Sequence, residues 1–163
     1  MGRMARMRIG CTERALACLG WLARYRSAAD ALPAHLAIGV DGETAAYFQL
    51  RRTGYVVVGH RWSSGDLPGD IDLIAWQGSM LCFVEVKTRT ARDATPAQAA
   101  IDAHKRDTLR RLARRYVRQL PGKAAPPVRF DVMSVYLAPG KKREFEHFEG
   151  AFGWSEGRER DSR

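Results

Sequence analysis

Two apolar runs near the middle of the chain, residues 71–76 and 81–86, dominate its hydrophobic pattern. Gln77-Gly78-Ser79-Met80 separates them, and two short apolar runs joined by a glycine-containing turn are typical of a β-hairpin. If Gly78 and Ser79 form the turn, pairing outward from it places Asp72 opposite Glu85 and Asp70 opposite Lys87.

Side chains alternate between the two faces of such a hairpin. One face is predicted to carry the charged residues Asp70, Asp72, Glu85 and Lys87 together with Ile74, Trp76, Leu81 and Phe83. The other face is predicted to be apolar and to consist of Ile71, Leu73, Ala75, Cys82, Val84 and Val86. Because both faces are largely apolar, we expect the hairpin to lie centrally in a sheet that is covered on both sides.

The flanking pattern predicts helices over residues 12–31, from Asp41 to Gly54, and from a capping box at Thr95 and Gln98 to Leu120. It predicts strands over residues 55–62 and 128–137, an edge strand near 143–148, and a loop over 63–69 that borders a substrate groove. These elements indicate an α/β domain with a central mixed β-sheet of four to five strands flanked by helices. We divide the chain into an N-terminal helical extension (1–38), a folded domain (39–150) and a disordered tail (151–163).

The charge of the chain favours a polyanionic partner, because the formal net charge is +9. Basic residues are concentrated on the third helix, where Asp107 is the one acid between residues 105 and 119. With so few acids, pairing along the helix does not explain the basic face. Contacts to nucleic-acid phosphates explain it, and a merely solvated face is the alternative.

The remaining sequence features concern the compartment. The three cysteines have no metal-ligand spacing, which favours a reducing cytoplasm. Residues 3–31 partly match a signal peptide, which keeps export as an alternative, but Arg24 and Arg26 closely follow the apolar run. No stretch reaches the roughly 20 apolar residues of a membrane span, so we expect a cytoplasmic protein without a membrane partner.

The acids of the hairpin indicate a metal site. Opposed like charges destabilise a strand pair, and a divalent cation between Asp72 and Glu85 would remove the repulsion, since Mg²⁺ binds hard oxygen ligands. Glu43 lies on the predicted sheet-facing stripe of the second helix, either as a first-turn acid favoured by the helix dipole or as a third carboxylate near the metal. For Asp131, a metal role is the alternative, but no partner acid stands at hairpin spacing, so a structural hydrogen-bonding role is predicted.

Residues 69–74 and 83–89, with Gly42-Glu43, Lys105 and residues 129–131, resemble the YraN-like family of predicted bacterial nucleases. The spacing is the D-(x)n-(D/E)-x-K constellation of restriction-endonuclease-like enzymes, and the resemblance covers about residues 39–135. It implies a restriction-endonuclease-like fold and a metal, Mg²⁺ or Mn²⁺, held by Asp72, Glu85 and the carbonyl of Val86. Lys87 and Glu43 would assist catalysis, while Asp70 stands where that family usually has glutamate.

The combined hypothesis is a metal-dependent DNA endonuclease. We expect its nucleic-acid contacts to come from the basic residues Arg89, Lys105, Arg110, Arg114 and Arg118. The family is also similar to archaeal Holliday-junction resolvases, which implies branched DNA and a homodimer. The alternatives are a non-catalytic nucleic-acid-binding accessory protein with a nuclease fold, and a purely structural interaction protein.

Overall fold

A computed structural model describes residues 33–91, 101–122, 124–138, 140 and 142–155. Within these residues the chain forms a five-stranded mixed β-sheet flanked by two helices. The elements are α1 (Ala34–Arg52), β1 (Val56–Ser64), β2 (Leu67–Gln77), β3 (Met80–Arg89), α2 (Ala103–Arg118), β4 (Val128–Tyr136) and β5 (Glu144–Phe152). The predicted α/β architecture is confirmed.

The strands lie side by side in their sequence order, β1 to β5. β3 and β4 are parallel, and every other neighbouring pair is antiparallel. A parallel pair needs a crossover connection, and α2 belongs to the segment that makes it. In this strand order the β2–β3 hairpin lies in the interior of the sheet and β5 is an edge strand, as predicted.

The hairpin has the predicted register. Gln77 pairs with Met80, and the ladder continues outward to Leu73 and Val84. Gly78 has a φ of +60°, a conformation that glycine adopts without strain. Counted outward from the turn, pairing ends at Leu73, so the next residue of β2, Asp72, is not paired with β3.

Each face of the sheet carries its own core. Tyr47 and Leu50 of α1 pack with Leu73 and Val84 on one face. On the other face, Leu109 and Leu112 of α2 belong to a cluster with Phe83 and Phe130 of the sheet. The sheet is thus covered on both sides, as the two apolar faces of the hairpin predicted.

The prediction was wrong for Ile71, which packs with Ile74 and Phe83 on the α2 side and not with Leu73. The period-two alternation of β2 is therefore interrupted at Asp72. The interruption falls where β2 stops pairing with β3, while β2 stays paired with β1, where Ile71 lies opposite Trp62.

The predicted start of the helix at Asp41 is also wrong. α1 begins at Ala34 after Pro33, and the Asp41 carboxylate accepts a hydrogen bond from Arg143 at 2.8 Å instead of capping a helix. The predicted end is confirmed, since Gly54 follows the helix with a φ of +91°. Because α1 starts before residue 39 and β5 runs to Phe152, the folded unit extends beyond 39–150 at both ends.

The start of α2 differs from its prediction as well. Asp102 has extended backbone angles and its side chain accepts a hydrogen bond from the Lys105 amide at 2.7 Å, so Ala103 is the first helical residue. A single helix from Thr95 is excluded by this cap, although Thr95 and Gln98 themselves lie outside the described residues. The predicted helix over 12–31 and residues 156–163 of the predicted tail also lie outside them.

Residues 63–69 form less of a loop than predicted. β1 continues to Ser64 and β2 resumes at Leu67, with these two residues paired. Only Gly65 and Asp66 remain as the turn between the strands. None of the helices in the described part of the chain is long and apolar enough to cross a membrane.

Candidate metal and nucleic-acid site

Two buried carboxylates stand just beyond the end of the β2–β3 ladder. Asp72 is 9% exposed and Glu85 is 4% exposed. The Val86 backbone N–H donates to Oδ2 of Asp72 at 2.7 Å, so this side chain takes a position that a main-chain carbonyl fills elsewhere in the ladder. The strand end thereby holds Asp72 beside the backbone of β3, one residue past Glu85.

The electrostatics of this pair favour a cation. Burial and the neighbouring Glu85 charge raise the pKa of Asp72 to about 8, although the Val86 hydrogen bond opposes the shift. The charge of Glu43, on α1, raises the pKa of Asp72 further. Both burial and like charge disfavour the ionised form, and bound positive charge would restore it.

Two lysines supply positive charge to Glu85. Lys87 Nζ donates to Oε1 at 3.0 Å, and Lys105 Nζ lies 3.1 Å from Oε2. The contact of Lys87 with Glu85 agrees with the prediction that both side chains lie on the same face of β3. The contact from Lys105 was not predicted from the strand pattern, because it depends on how α2 packs over β3. The signal for it was the presence of Lys105 among the residues that carried the family resemblance.

Glu43 is held by a histidine. His60 Nε2 lies 2.9 Å from Oε2 of Glu43, and both side chains are largely buried. α1 approaches the sheet very closely at this point, because an added Cβ on Gly42 would lie 2.8 Å from the Cβ of Thr88. No sequence pattern predicted the contact of His60, which reaches Glu43 from β1 across the helix–sheet interface.

Asp70 does not pair with Lys87 as its predicted register implied. Its carboxylate lies 3.2 Å from Nε of Arg61 on β1. β2 has left the β3 ladder before this residue, so Asp70 follows the β1 side of the sheet. Asp70 therefore pairs with β1 and not with Lys87, although its charge still acts on Lys105.

The residues fit a divalent cation that has few protein ligands. The described part of the chain contains no group of three or more His, Cys, Asp or Glu side chains arranged as metal ligands. Mg²⁺, however, usually keeps several waters and is held by one or two carboxylates together with substrate phosphates. Oε2 of Glu85 is buried and makes no hydrogen bond within the described residues, since the Lys105 contact is an ion pair without hydrogen-bond geometry.

The basic face of α2 is partly confirmed. Its exposed arginines are Arg111, Arg114, Arg115 and Arg118. Arg114 lies over the ring of Trp154, 5.3 Å from its centroid. Arg89, another predicted nucleic-acid contact, is half-buried at the end of β3 beside Tyr136 of β4.

The prediction for Arg110 requires correction. This residue is 5% exposed, and its guanidinium donates to the Gly153 carbonyl at 2.8 Å and to Asp107 at 2.7 Å. It also lies over the Phe152 ring at 5.6 Å. Arg110 therefore connects α2 to the end of β5 through a buried hydrogen bond. Its guanidinium is not exposed for a contact with a nucleic-acid phosphate.

A cleft of about 400 Å³ lies between the β1–β2 turn and the C-terminal part of α2. Its walls are formed by Trp62, Ser63, Ser64, Gly65, Asp66, Arg115 and Gln119. Residues 63–66 of the segment predicted to border a substrate groove line this cleft, and its use by a substrate stays a prediction. Arg115 of the basic face of α2 lines one side of the cleft.

The family model described as "Uncharacterised protein family UPF0102" matches residues 42–135. The chain belongs to this family. A UPF0102 protein of Koribacter versatilis is 48% identical over 105 residues, which is 64% of this chain and 72% of the relative. A UPF0102 protein of Solibacter usitatus is 45% identical over 116 residues, 70% of this chain and 84% of the relative. One from Porphyromonas gingivalis is 40% identical over 115 residues, 70% of this chain and 82% of the relative.

The segment that matches UPF0102 contains the residues of the acid site, from Glu43 through Asp72, Glu85 and Lys87 to Lys105. It ends before β5 and Trp154. The UPF0102 family description names no activity, so function is argued from the geometry of the site.

Proposed function

We propose that this UPF0102 protein is a metal-dependent DNA endonuclease that hydrolyses phosphodiester bonds. The observation that carries the proposal is the burial of Asp72 and Glu85 side by side, with Lys87 on the same carboxylate. Unpaired buried carboxylates are costly, and a site that gathers them with lysines suits an anionic substrate and a cation. The restriction-endonuclease-like assignment rests on the same residues.

Each residue has a distinct role in this mechanism. Asp72, Glu85 and the carbonyl of Val86 would hold Mg²⁺ or Mn²⁺, which when bound polarises the scissile phosphate and activates a water. Lys87 stabilises negative charge that develops on the phosphate or orients the attacking water. We assign Glu43 to orienting the site through its bond to His60, because that bond already occupies its Oε2.

The exposed arginines of α2 supply contacts to the rest of the substrate. From Lys105 to Arg118 the helix rises about 20 Å, which corresponds to roughly six phosphates along one duplex strand. Contacts of this kind bind without regard to sequence, and their strength depends on salt through counterion release. A basic face that leads away from the acid site therefore suits a polynucleotide substrate longer than a single nucleotide.

The decisive experiment compares Asp72→Asn and Glu85→Gln with the wild type on linear, single-stranded and branched DNA, with Mg²⁺ or Mn²⁺. Asparagine retains an oxygen that can accept from Val86, so the strand end is preserved while the charge is lost. We expect cleavage to fall by at least about 100-fold, because metal-assisted charge stabilisation supplies several kcal/mol. Metal-free DNA binding should be unchanged or tighter, since removing a negative charge lessens repulsion of phosphate.

Asp70→Asn is the matched control. It removes an acid from the same strand, but one that pairs with Arg61 and not with Lys87 or Glu85. This variant should retain cleavage within a few-fold of wild type. Equal losses in Asp70→Asn and Asp72→Asn would contradict the assignment of the metal ligands.

A non-catalytic nucleic-acid-binding accessory protein is the second candidate. It is favoured by the two lysines on Glu85, which already offset its charge without a metal. If the wild-type protein binds DNA but cleaves no form of DNA or RNA with either metal, this second function is correct. A homodimer and a preference for branched DNA remain predictions of the family resemblance, and the substrate panel also tests the latter.

A further inference from the structure

The Glu85 carboxylate lies between two ammonium groups that come from different elements. Lys87 reaches Oε1 from β3, two residues along the same strand. Lys105 reaches Oε2 from the first turn of α2. Glu85 is thus a buried acid with a lysine at each oxygen, and it is also a proposed ligand of the metal.

We propose that Lys105 is an internal competitor of the metal ion, which takes the cation's place on Glu85 when the metal is absent. The inference rests on the proposed function, because it concerns the same metal site. A metal ion bound to Oε2 at its usual distance of about 2.1 Å would lie at most about 5 Å from Lys105 Nζ, given the 3.1 Å contact. The two positive charges would repel each other in a largely buried environment, so metal binding must displace Lys105.

Lys105 is the lysine of the two that can leave. Its side chain is about as exposed as that of Lys87, 29% against 31%, but its backbone is held independently by the Asp102 cap. A lysine side chain has four rotatable carbons, so the ammonium can swing outward without any movement of α2. Lys87, in contrast, extends from the central strand β3 and lies next to Glu85 by virtue of the strand itself.

The ammonium group of a lysine is positively charged near neutral pH, because its ordinary pKa is about 10.4. Once displaced, the Lys105 ammonium remains beside the acid pair, where a phosphate of the substrate offers it a new partner.

The test measures Mn²⁺ affinity without nucleic acid, by calorimetry or by electron paramagnetic resonance of free Mn²⁺, for the wild type and Lys105→Met. We expect the variant to bind Mn²⁺ about tenfold more tightly or better, equivalent to about 1.4 kcal/mol. The expected effect exceeds that of an exposed ion pair, because Glu85 is buried. Lys105→Gln serves as a second variant if the methionine variant does not fold.

Arg111→Gln is the matched control. It removes one positive charge from the exposed face of the same helix, about 9 Å along the axis from Lys105. Its Mn²⁺ affinity should stay within about twofold of wild type, so that a change in Lys105→Met is not a general effect of net charge.

Two outcomes overturn the inference, and they are distinguishable. If wild type and Lys105→Met bind Mn²⁺ equally, or the variant binds more weakly, Lys105 does not compete and the proposed endonuclease site still stands. If neither folded protein binds Mn²⁺, either alone or with DNA present to supply phosphate ligands, the metal site itself is absent and the proposed function fails together with the inference.

Discussion

Replacing Gly42 with alanine tests how closely α1 must approach the sheet for the acid site to form. An added Cβ at this position would lie 2.8 Å from both Cβ and Cγ2 of Thr88. Real Cβ atoms are not found so close to other carbons, so either α1 or β3 must move. Since Glu43 is the next residue, a shift of α1 also changes its distance from His60.

The magnitude follows from two opposing effects. Alanine is favoured over glycine inside a helix by about 1 kcal/mol, whereas overpacking a well-filled interface costs about 1–3 kcal/mol. Gly39 isolates the first effect, because it lies in the same helix and an added Cβ there has no atom within 4 Å. We expect Gly39→Ala to stabilise the protein by about 1 kcal/mol, and Gly42→Ala to fall below it by about 1–3 kcal/mol.

Urea unfolding of the two variants measures this difference directly, provided that the slope with denaturant is unchanged. Thr88→Gly removes the side-chain atoms nearest the new Cβ, and in a double-mutant cycle it should recover most of the loss caused by Gly42→Ala. Equal stabilities of Gly39→Ala and Gly42→Ala would show that α1 can retreat freely. In that case the close approach is not what positions Glu43.

Two further predictions concern charge. Arg114→Gln with Arg118→Gln should weaken DNA binding and reduce the log–log salt slope by up to about 0.9 per lost phosphate contact, whereas the exposed Arg52→Gln on α1 should leave the slope unchanged. Arg110→Gln should instead lower the free energy of unfolding by about 1–3 kcal/mol, and a changed salt slope with unchanged stability would contradict its structural role. Asp131 is fully buried, and hydrogen bonds from His147, Arg129 and the Gly150 amide outweigh burial and lower its pKa. Asp131→Asn should therefore destabilise the protein by about 3 kcal/mol near neutral pH. Because the folded-state pKa is the lower one, wild type loses this advantage as pH falls from about 4, the unfolded-state value, through the folded-state pKa. A stability difference that stays constant down to pH 2 in acid-dependent unfolding would refute the assignment.

The hairpin could be predicted because its determinants are local. The turn residues Gly78 and Ser79 fix which residues face each other, and the apolar runs on either side fix the burial of both strands. The same holds for the end of α1 at Gly54, where the backbone conformation itself requires glycine. The structural role of Asp131 was also correct, because a buried acid on a strand needs hydrogen-bond donors.

The features that sequence missed depend on contacts between distant elements. Asp41 has the composition of a helix cap, but its partner is Arg143, far along the chain. Arg110 carries the same charge as Arg114 and Arg118, yet the Gly153 carbonyl at the end of β5 determines its burial. Local signals for Arg110 were its position three residues before Ala113, at the margin of the buried stripe of α2, and the acid Asp107 three residues before it.

The acid site likewise combines predictable and unpredictable parts. Glu85 and Lys87 share a strand face by simple alternation, and their contact follows from it. His60 on Glu43 and Lys105 on Glu85 require both helices to be docked on the sheet. No periodicity within one element contains that information.

The hydrogen bond from Val86 to Asp72 limits what the presence of Asp72 in a UPF0102 sequence says about activity. Since Oδ2 of Asp72 closes the end of a strand pair, this aspartate serves the architecture whether or not any metal binds. A UPF0102 protein that had lost catalysis would still be under selection to keep this aspartate. The presence of an aspartate at this position is therefore weak evidence for enzymatic activity. Among the described contacts, the Lys87 side chain makes no hydrogen bond to the backbone. Replacement of Lys87 by an uncharged residue would therefore be the better indicator that a family member has lost activity.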